Sequence, residues 1–214
     1  MAAGSRERLL SAVGAVLRRD GLSKLSLRAV GREAGVSHAL PGVIFGDKAG
    51  MLTAWAAEGF WALGAAMERA LQDEAAGPEQ LAATGRAYVR FAVEDPERFR
   101  LMFRQDLLRT DRPEYRAAVE AGFAPLKAAL SQCVDDGGLG ADERVVAGAS
   151  AWAMVHGLAQ LWIDGHLLTR GRSDPEPLIL SATRTFAWRV CGGGLSPPPR
   201  PAPQPAVLPE NGVE

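Results

Sequence analysis

The segment Leu25–Lys48, LSLRAVGREAGVSHALPGVIFGDK, constrains this chain more than any other. Ser26 can cap a short helix running to about Ala34, because a serine hydroxyl accepts a bond from a free N–H group of the first turn. Gly35 then stops that helix at the position where a left-handed residue costs least. Ser37 can cap a second helix almost at once. Leu27 and Val30 give the first helix an apolar face, Gly31 is small enough for the second helix to cross closely, and Val36 tucks the turn inward. Two short helices on a tight glycine turn form the scaffold that sets a reading helix into the major groove of DNA. They also form an ordinary helical hairpin, and the spacing alone leaves both readings open.

The rest of the chain reads as helix, with no β-branched alternation. Leu9, Leu10, Val13, Val16 and Leu17 fall on one face of a helix over about 5–20, which Asp20-Gly21 ends. After Lys48 the pattern runs to about Glu74, with Leu52, Trp55, Ala56, Phe60, Leu63, Met67 and Leu71 inward, until Ala76-Gly77-Pro78 breaks it. Further helices are predicted near 78–94, 96–106, 113–135, 142–168 and 174–190, with Pro96, Pro113 and Pro175 marking first turns. From Gly192 onward the sequence holds half of the chain's 14 prolines and few apolar residues, and reads as a disordered or polyproline tail.

Val145 to Ile163 is almost wholly apolar and about the length of a membrane span. Ser150, His156, Gln160 and its glycines argue instead for a buried helix at a subunit interface, so no membrane is expected. Charge is asymmetric. Residues 1–50 carry eight basic and four acidic side chains, a net +4 against −1 for the whole 214-residue chain. A basic head on a mildly acidic body suits a chain that offers one end to phosphates. Cys133 and Cys191 stand far apart with no zinc-ligand spacing, which points to a reducing cytoplasm and to no metal or other cofactor.

The head is similar to the N-terminal domain of the TetR family. The residues that carry the likeness are Arg8-Leu9-Leu10, Ala15, Gly21, Leu25-Ser26-Leu27-Arg28-Ala29-Val30, Ala34-Gly35-Val36-Ser37, Phe45, Lys48 and Leu52. The resemblance implies an all-α homodimer with an N-terminal three-helix helix-turn-helix domain (1–48), a C-terminal helical ligand-binding and dimerisation domain (49–191), and the proline-rich tail (192–214). It implies that Arg28 and Ser37, with Ser26 beside them, approach phosphate or base edges of a palindromic double-stranded operator. His38, Ala39 and Leu40 would lie on the start of the reading helix, and Lys48 would hold a backbone phosphate. Phe45 is read as core. The chain departs from the family pattern at Pro41-Gly42-Val43-Ile44, where an aromatic and polar residues usually stand. None of these four side chains can donate a hydrogen bond.

The body resembles a TetR C-terminal domain type named for its Trp, His and Gly. The likeness rests on Asp95-Pro96-Glu97-Arg98-Phe99-Arg100-Leu101-Met102-Phe103 and on Trp152, His156, Gly157, Leu158 and Ala159. In such proteins the last two long helices, here 142–168 and 174–190, form a four-helix dimer interface. Trp61, Phe91, Phe99, Met102, Phe103, Phe123 and Trp152 are large apolar residues that could line a pocket for a hydrophobic or aromatic effector, with His156 as its orienting polar contact. For any one of them taken singly, core packing is the stronger reading. No nucleophile elbow, phosphate loop, dinucleotide fingerprint or zinc-protease motif is present, so no enzyme is expected. Two functions stand: a ligand-responsive repressor, or a helical ligand-binding or interaction protein whose DNA-binding head is weakened or vestigial.

Overall fold

The computed structural model describes residues 2–74, 77–167 and 174–192, and the predicted proline-rich tail lies outside them apart from Gly192. The described residues form nine helices and no strand: α1 (Ala2–Asp20), α2 (Leu27–Glu33), α3 (Leu40–Phe45), α4 (Lys48–Gln72), α5 (Pro78–Glu94), α6 (Pro96–Met102), α7 (Pro113–Asp135), α8 (Arg144–Ile163) and α9 (Glu176–Val190). The all-α class expected from periodicity is what the structure shows. No described helix is long and apolar enough to cross a membrane.

Pro96 and Pro113 open α6 and α7 as the sequence suggests, where a missing N–H removes nothing the helix would have used, and Pro78 opens α5 in the same way. Pro175 stands one position earlier than expected, as the N-cap of α9. Two predicted helices stop early. The one expected over 96–106 ends at Met102, where Arg104 N–H turns back to the Leu101 carbonyl. The one expected over 142–168 ends at Ile163. Gly165 adopts φ 76°, and His166 N–H bonds the Leu161 carbonyl at 2.8 Å while Gly165 N–H bonds Trp162 at 2.9 Å. That pair of bonds is a Schellman closure.

α1, α2 and α3 pack on one another and on the start of α4, while α5 sits at the centre of the body against α4, α7, α8 and α9. One apolar core runs from Leu9 of α1 to Ile179 of α9, so no break in packing separates head from body. Its centre is aromatic. Phe60 meets Phe103 and Tyr115 edge-on at 5.5 and 5.7 Å. A smaller cluster holds Leu71, Leu81, Leu130 and Ala187 around Cys133.

The two cysteines correct the sequence reading. Cys133 at the end of α7 and Cys191 just after α9 form a disulfide that closes a separation of 58 residues. The sequence reading took their separation only as a sign of a reducing cytoplasm, because spacing along the chain says nothing about which helix ends meet in space.

α8 is only partly covered by its own chain. Within the chain only a stripe of small residues, Ala147, Ala151 and Ala159 with Val155, is buried. Val145 (77 %), Val146 (68 %) and Leu161 (43 %) remain exposed, as does Leu178 (41 %) of α9.

Candidate functional site

The head is built from the turn outward. Ser26 caps α2, its Oγ accepting from Ala29 N–H at 3.2 Å. Gly35 takes φ 64°, and Val36 N–H reaches the Gly31 carbonyl at 3.0 Å, which fixes the direction in which the chain leaves α2. Arg8 of α1 adds a bond from its guanidinium to the Ala34 carbonyl at 3.0 Å, a cation placed on a helix C-terminus. Gly31 meets the Pro41 ring, so α3 crosses α2 at the closeness the sequence implied. Phe45 is buried in the core as read.

Three expectations shift. Ser37 does not cap α3: the helix begins at Leu40 behind Ala39, and the Ser37 carbonyl instead accepts from Leu40 N–H at 3.1 Å. His38 and Ala39 therefore stand in an exposed turn before α3, with Leu40 half-buried. The Lys48 ammonium donates to the Leu22 carbonyl at 3.1 Å and ties α4 to the α1–α2 loop, an internal partner that the sequence did not suggest. Arg28 is exposed on α2. On α3 the most exposed side chain is Val43, at 80 %. The surface offered to a partner is thus Arg28, Ser37, His38, Ala39 and Val43.

Below the head, Arg6 of α1 pairs with Glu58 and Glu114 at 2.8 and 2.6 Å, and Thr53 Oγ1 accepts from Arg109 N–H at 2.8 Å. Arg109 also pairs with Asp47, the N-cap of α4. The head is therefore held to the loop between α6 and α7 as well as to α4.

The aromatic residues proposed for a ligand pocket separate into three groups. Trp61 is 48 % exposed on α4, whereas Phe91 is half-buried, packed against the core and bordering with Arg69 and Arg90 a crevice between α4 and α5. Trp61 sits at helical spacing with true core residues, but the opposite side of α4 faces the packing. Phe99 and Met102 are fully buried. Phe103, Phe99 and His156 border a crevice between α1, α6 and α8 that Leu17 and Leu22 close from the head side. Phe123 and Trp152 border a different space, an inner cavity reached also by Tyr88, Leu126 and Val155.

That inner cavity is almost full, at about 20 Å³, room for one water molecule. Outside it, and sharing Phe123, Leu126 and Trp152 with it, lies a groove of about 480 Å³ between α7 and α8. The groove has the size of a small-molecule site, and the crevice bordered by Phe99, Phe103 and His156, at about 340 Å³, falls in the same range.

His156 is occupied. The Trp152 indole N–H donates to the Tyr88 hydroxyl at 3.2 Å, and that hydroxyl lies 2.9 Å from His156 Nδ1. The Tyr88 hydroxyl and Nδ1 share one hydrogen bond, whose direction is set by the imidazole tautomer. Burial pushes the Tyr88 phenol well up and the His156 imidazole down, so both are neutral at pH 7. Phe103 and Phe99 pack on the imidazole at 4.8 and 5.1 Å. One ring nitrogen of His156 is thus taken by Tyr88, a residue that sequence reasoning missed. Its place 68 positions away, in α5, left no local signal.

One pH effect follows. With its folded-state value below the ordinary 6.5, His156 resists the proton that the unfolded chain accepts. Its contribution to stability is fully present above 6.5 and is lost as pH falls below it. Urea midpoints are expected to drop between about pH 7.5 and about pH 5.5, and a His156→Gln chain is expected to show a shallower drop. Equal slopes in the two chains would refute this.

An exposed reading turn on a helical body that carries a half-open groove defines a class: helix-turn-helix proteins with a helical companion domain. The family model for the tetracyclin repressor-like C-terminal domain matches residues 81–186. A Rhodococcus sp. RHA1 protein of unknown function is 31% identical, with TM-score 0.76, over 87% of this chain and 95% of its own. A TetR-family transcription regulator from Marinobacter aquaeolei VT8 is 20% identical, with TM-score 0.65, over 85% and 94%. RolR, in complex with resorcinol, is 16% identical, with TM-score 0.61, over 92% and 96%. No curated protein matches the chain. The chain belongs to the TetR family of transcription regulators.

Proposed function

We propose that the protein is a dimeric cytoplasmic repressor that binds a palindromic operator through α2 and the turn into α3, and that a small hydrophobic or aromatic effector held in the body releases it. The observation that carries this reading is the pairing of a freely presented reading turn with a groove of ligand size, joined by continuous packing. RolR, which shares the fold, holds the small aromatic resorcinol.

The exposed stripe Val146, Ser150, Ala153 and Leu161 on α8, with Leu178 on α9, is the surface a second copy covers in this reading. Uncovered, it would be an apolar patch of the kind that soluble monomers avoid. The dimer sets two heads about one helical turn of DNA apart, and an effector acts by favouring a different separation. The contacts that would transmit it run from Trp152 through Tyr88 and His156 to Phe99 of α6 and Phe103 at its C-cap. From there α6 packs on α1 of the head.

The test is binding of the purified protein to DNA from upstream of its own gene across a salt series. A steep salt slope is expected, because phosphate contacts release counterions. Arg28→Ala is expected to weaken binding to all sequences similarly and to reduce the slope by about one. A second reading rests on the smooth face of α3. With Val43 outermost and Pro41-Gly42-Val43-Ile44 lacking side-chain donors, the head could be vestigial. Absence of any salt-dependent DNA binding at low salt would establish that reading and sink the repressor.

A further inference from the structure

The groove between α7 and α8 has an uneven chemistry. Its walls are Phe123, Leu126 and Leu130 from α7 and Val145, Gly148 and Trp152 from α8. Its charged lining residues are Lys127 of α7 and Arg144 of α8, both exposed, and no carboxylate lines it. Arg144 donates to Ser131 Oγ at 3.1 Å, and among the described residues it pairs with no acid within ion-pair distance. Lys127 is paired at 2.8 Å with Glu120, two turns earlier on α7 and outside the groove lining. Both partners of that pair are mostly solvent-exposed, so a bound anion could recruit the ammonium at little cost.

The groove also stands apart from the surface proposed for dimerisation. Val145, Ala149 and Trp152 form the groove-side stripe of α8, and the Val146–Leu161 stripe is turned about 100° around the helix from it. At the groove floor the Phe123 and Trp152 rings meet edge to face at 5.5 Å, which offers one ring face and one ring edge to a flat apolar body.

We propose that the α7–α8 groove binds an amphipathic carboxylate, its aromatic or other flat apolar body on Phe123 and Trp152 and its anionic head between Lys127 and Arg144. The assignment deepens the effector reading above by naming the chemical class, and it rests on that reading only for the consequence of binding. A carboxylate satisfies a guanidinium and an ammonium with charge-assisted bonds, whereas a neutral ligand of the same shape leaves both with water. Such a ligand lies against the ring whose indole N–H holds Tyr88, so it bears directly on the contacts that lead to α6.

The experiment is calorimetric titration of the full chain with naphthylacetate and with its neutral counterpart naphthylethanol. Naphthylacetate is expected to bind at least about tenfold more tightly, and that preference is expected to shrink at high salt. In a Lys127→Gln/Arg144→Gln double variant the preference is expected to vanish while the weaker alcohol affinity stays. Both positions are exposed, so the variant is expected to keep its urea midpoint. Equal affinity of acid and alcohol, binding of neither, or a preference that survives the double variant would each overturn the proposal. So would a double variant that alters self-association but not ligand preference, because the groove would then belong to a second copy. DNA binding of the ligand-free protein is scored separately. A wild-type chain that binds DNA but shows no carboxylate preference sinks this inference alone, and carboxylate binding without DNA binding sinks the repressor alone.

Discussion

Reducing the bridge between Cys133 and Cys191 is expected to lower the stability of the chain by about 4 kcal/mol, the chain-entropy value for a loop of this length. The bridge closes a separation of 58 residues and joins the end of α7 to the end of α9. Those helices touch different parts of the body: α7 packs mainly on α4, and α9 on α5. Without the bond, the unfolded chain regains the freedom of a long loop while the folded chain keeps most of its contacts. The loss therefore falls on the unfolded side of the balance. Cys133 is fully buried among Leu130, Ala129 and Leu139, so Cys133→Ala adds a small cavity to the lost cross-link. Cys191→Ala removes the cross-link with less packing cost, because Cys191 is only half-buried. Urea unfolding with and without a phosphine reductant measures the effect. The wild-type chain is expected to lose stability on reduction, and the Cys191→Ala chain to be indifferent to it. A wild-type midpoint that ignores the reductant would show that the thiols are not joined.

Gly64→Val is expected to destabilise the chain by about 3 kcal/mol, although glycine is a poor residue for the middle of a 25-residue helix. At an exposed helical site, replacing glycine with alanine stabilises by roughly 1 kcal/mol. Here the sign reverses. A Cβ on Gly64 would stand 2.6 Å from the Ala121 carbonyl oxygen and 3.1 Å from its carbon, both backbone atoms of α7 that no rotamer change can move. Gly122 beside it faces Phe60 in the same way, with the Phe60 carbonyl oxygen 3.1 Å from a Cβ built there. Pro125 explains why α7 turns this carbonyl outward. It lies inside α7 four residues after Ala121 and has no N–H to give it. Gly64→Ala separates the two contributions, since it gains helix propensity and still meets the carbonyl. It is expected to be destabilising by about 1 kcal/mol or more. An alanine chain as stable as wild type would mean that α4 and α7 part without cost. Because α4 carries Lys48 and Asp47 against the head, a shift of α4 on α7 would also be expected to change DNA binding in the same variants.

The ease of reading the head and the difficulty of reading the groove have one cause. The head is local. Ser26, Gly35, Val36 and Phe45 act on neighbours a few residues away, through a cap, a left-handed turn and one apolar anchor, and each does so in the structure. Even there the misreadings involve longer reach: Lys48 bonds Leu22, and Ser37 loses its capping role to a helix that starts at Leu40. The body's site is assembled from α5, α7 and α8, whose residues are tens of positions apart. An aromatic residue at helical spacing names a helix face without saying which neighbour that face meets. Trp61 and Phe91 therefore resembled Phe123 and Trp152 in sequence, yet neither borders the α7–α8 groove. Tyr88 and the cations Lys127 and Arg144 carried no local pattern at all.

The sequence by itself determined an all-helical chain, the order of its helices, and a glycine-turned head of the TetR type. Those features depend on hydrophobic period, capping and turn chemistry within a few residues. Only the tertiary structure decided that the Leu25–Lys48 scaffold presents Arg28, His38 and Val43 outward while turning Lys48 inward. It also decided that Cys133 meets Cys191, and that the inner cavity is almost full while a groove lies open between α7 and α8. Close packing is the reason. Which surfaces meet is settled by the fit of all nine described helices at once, and no single segment carries that information.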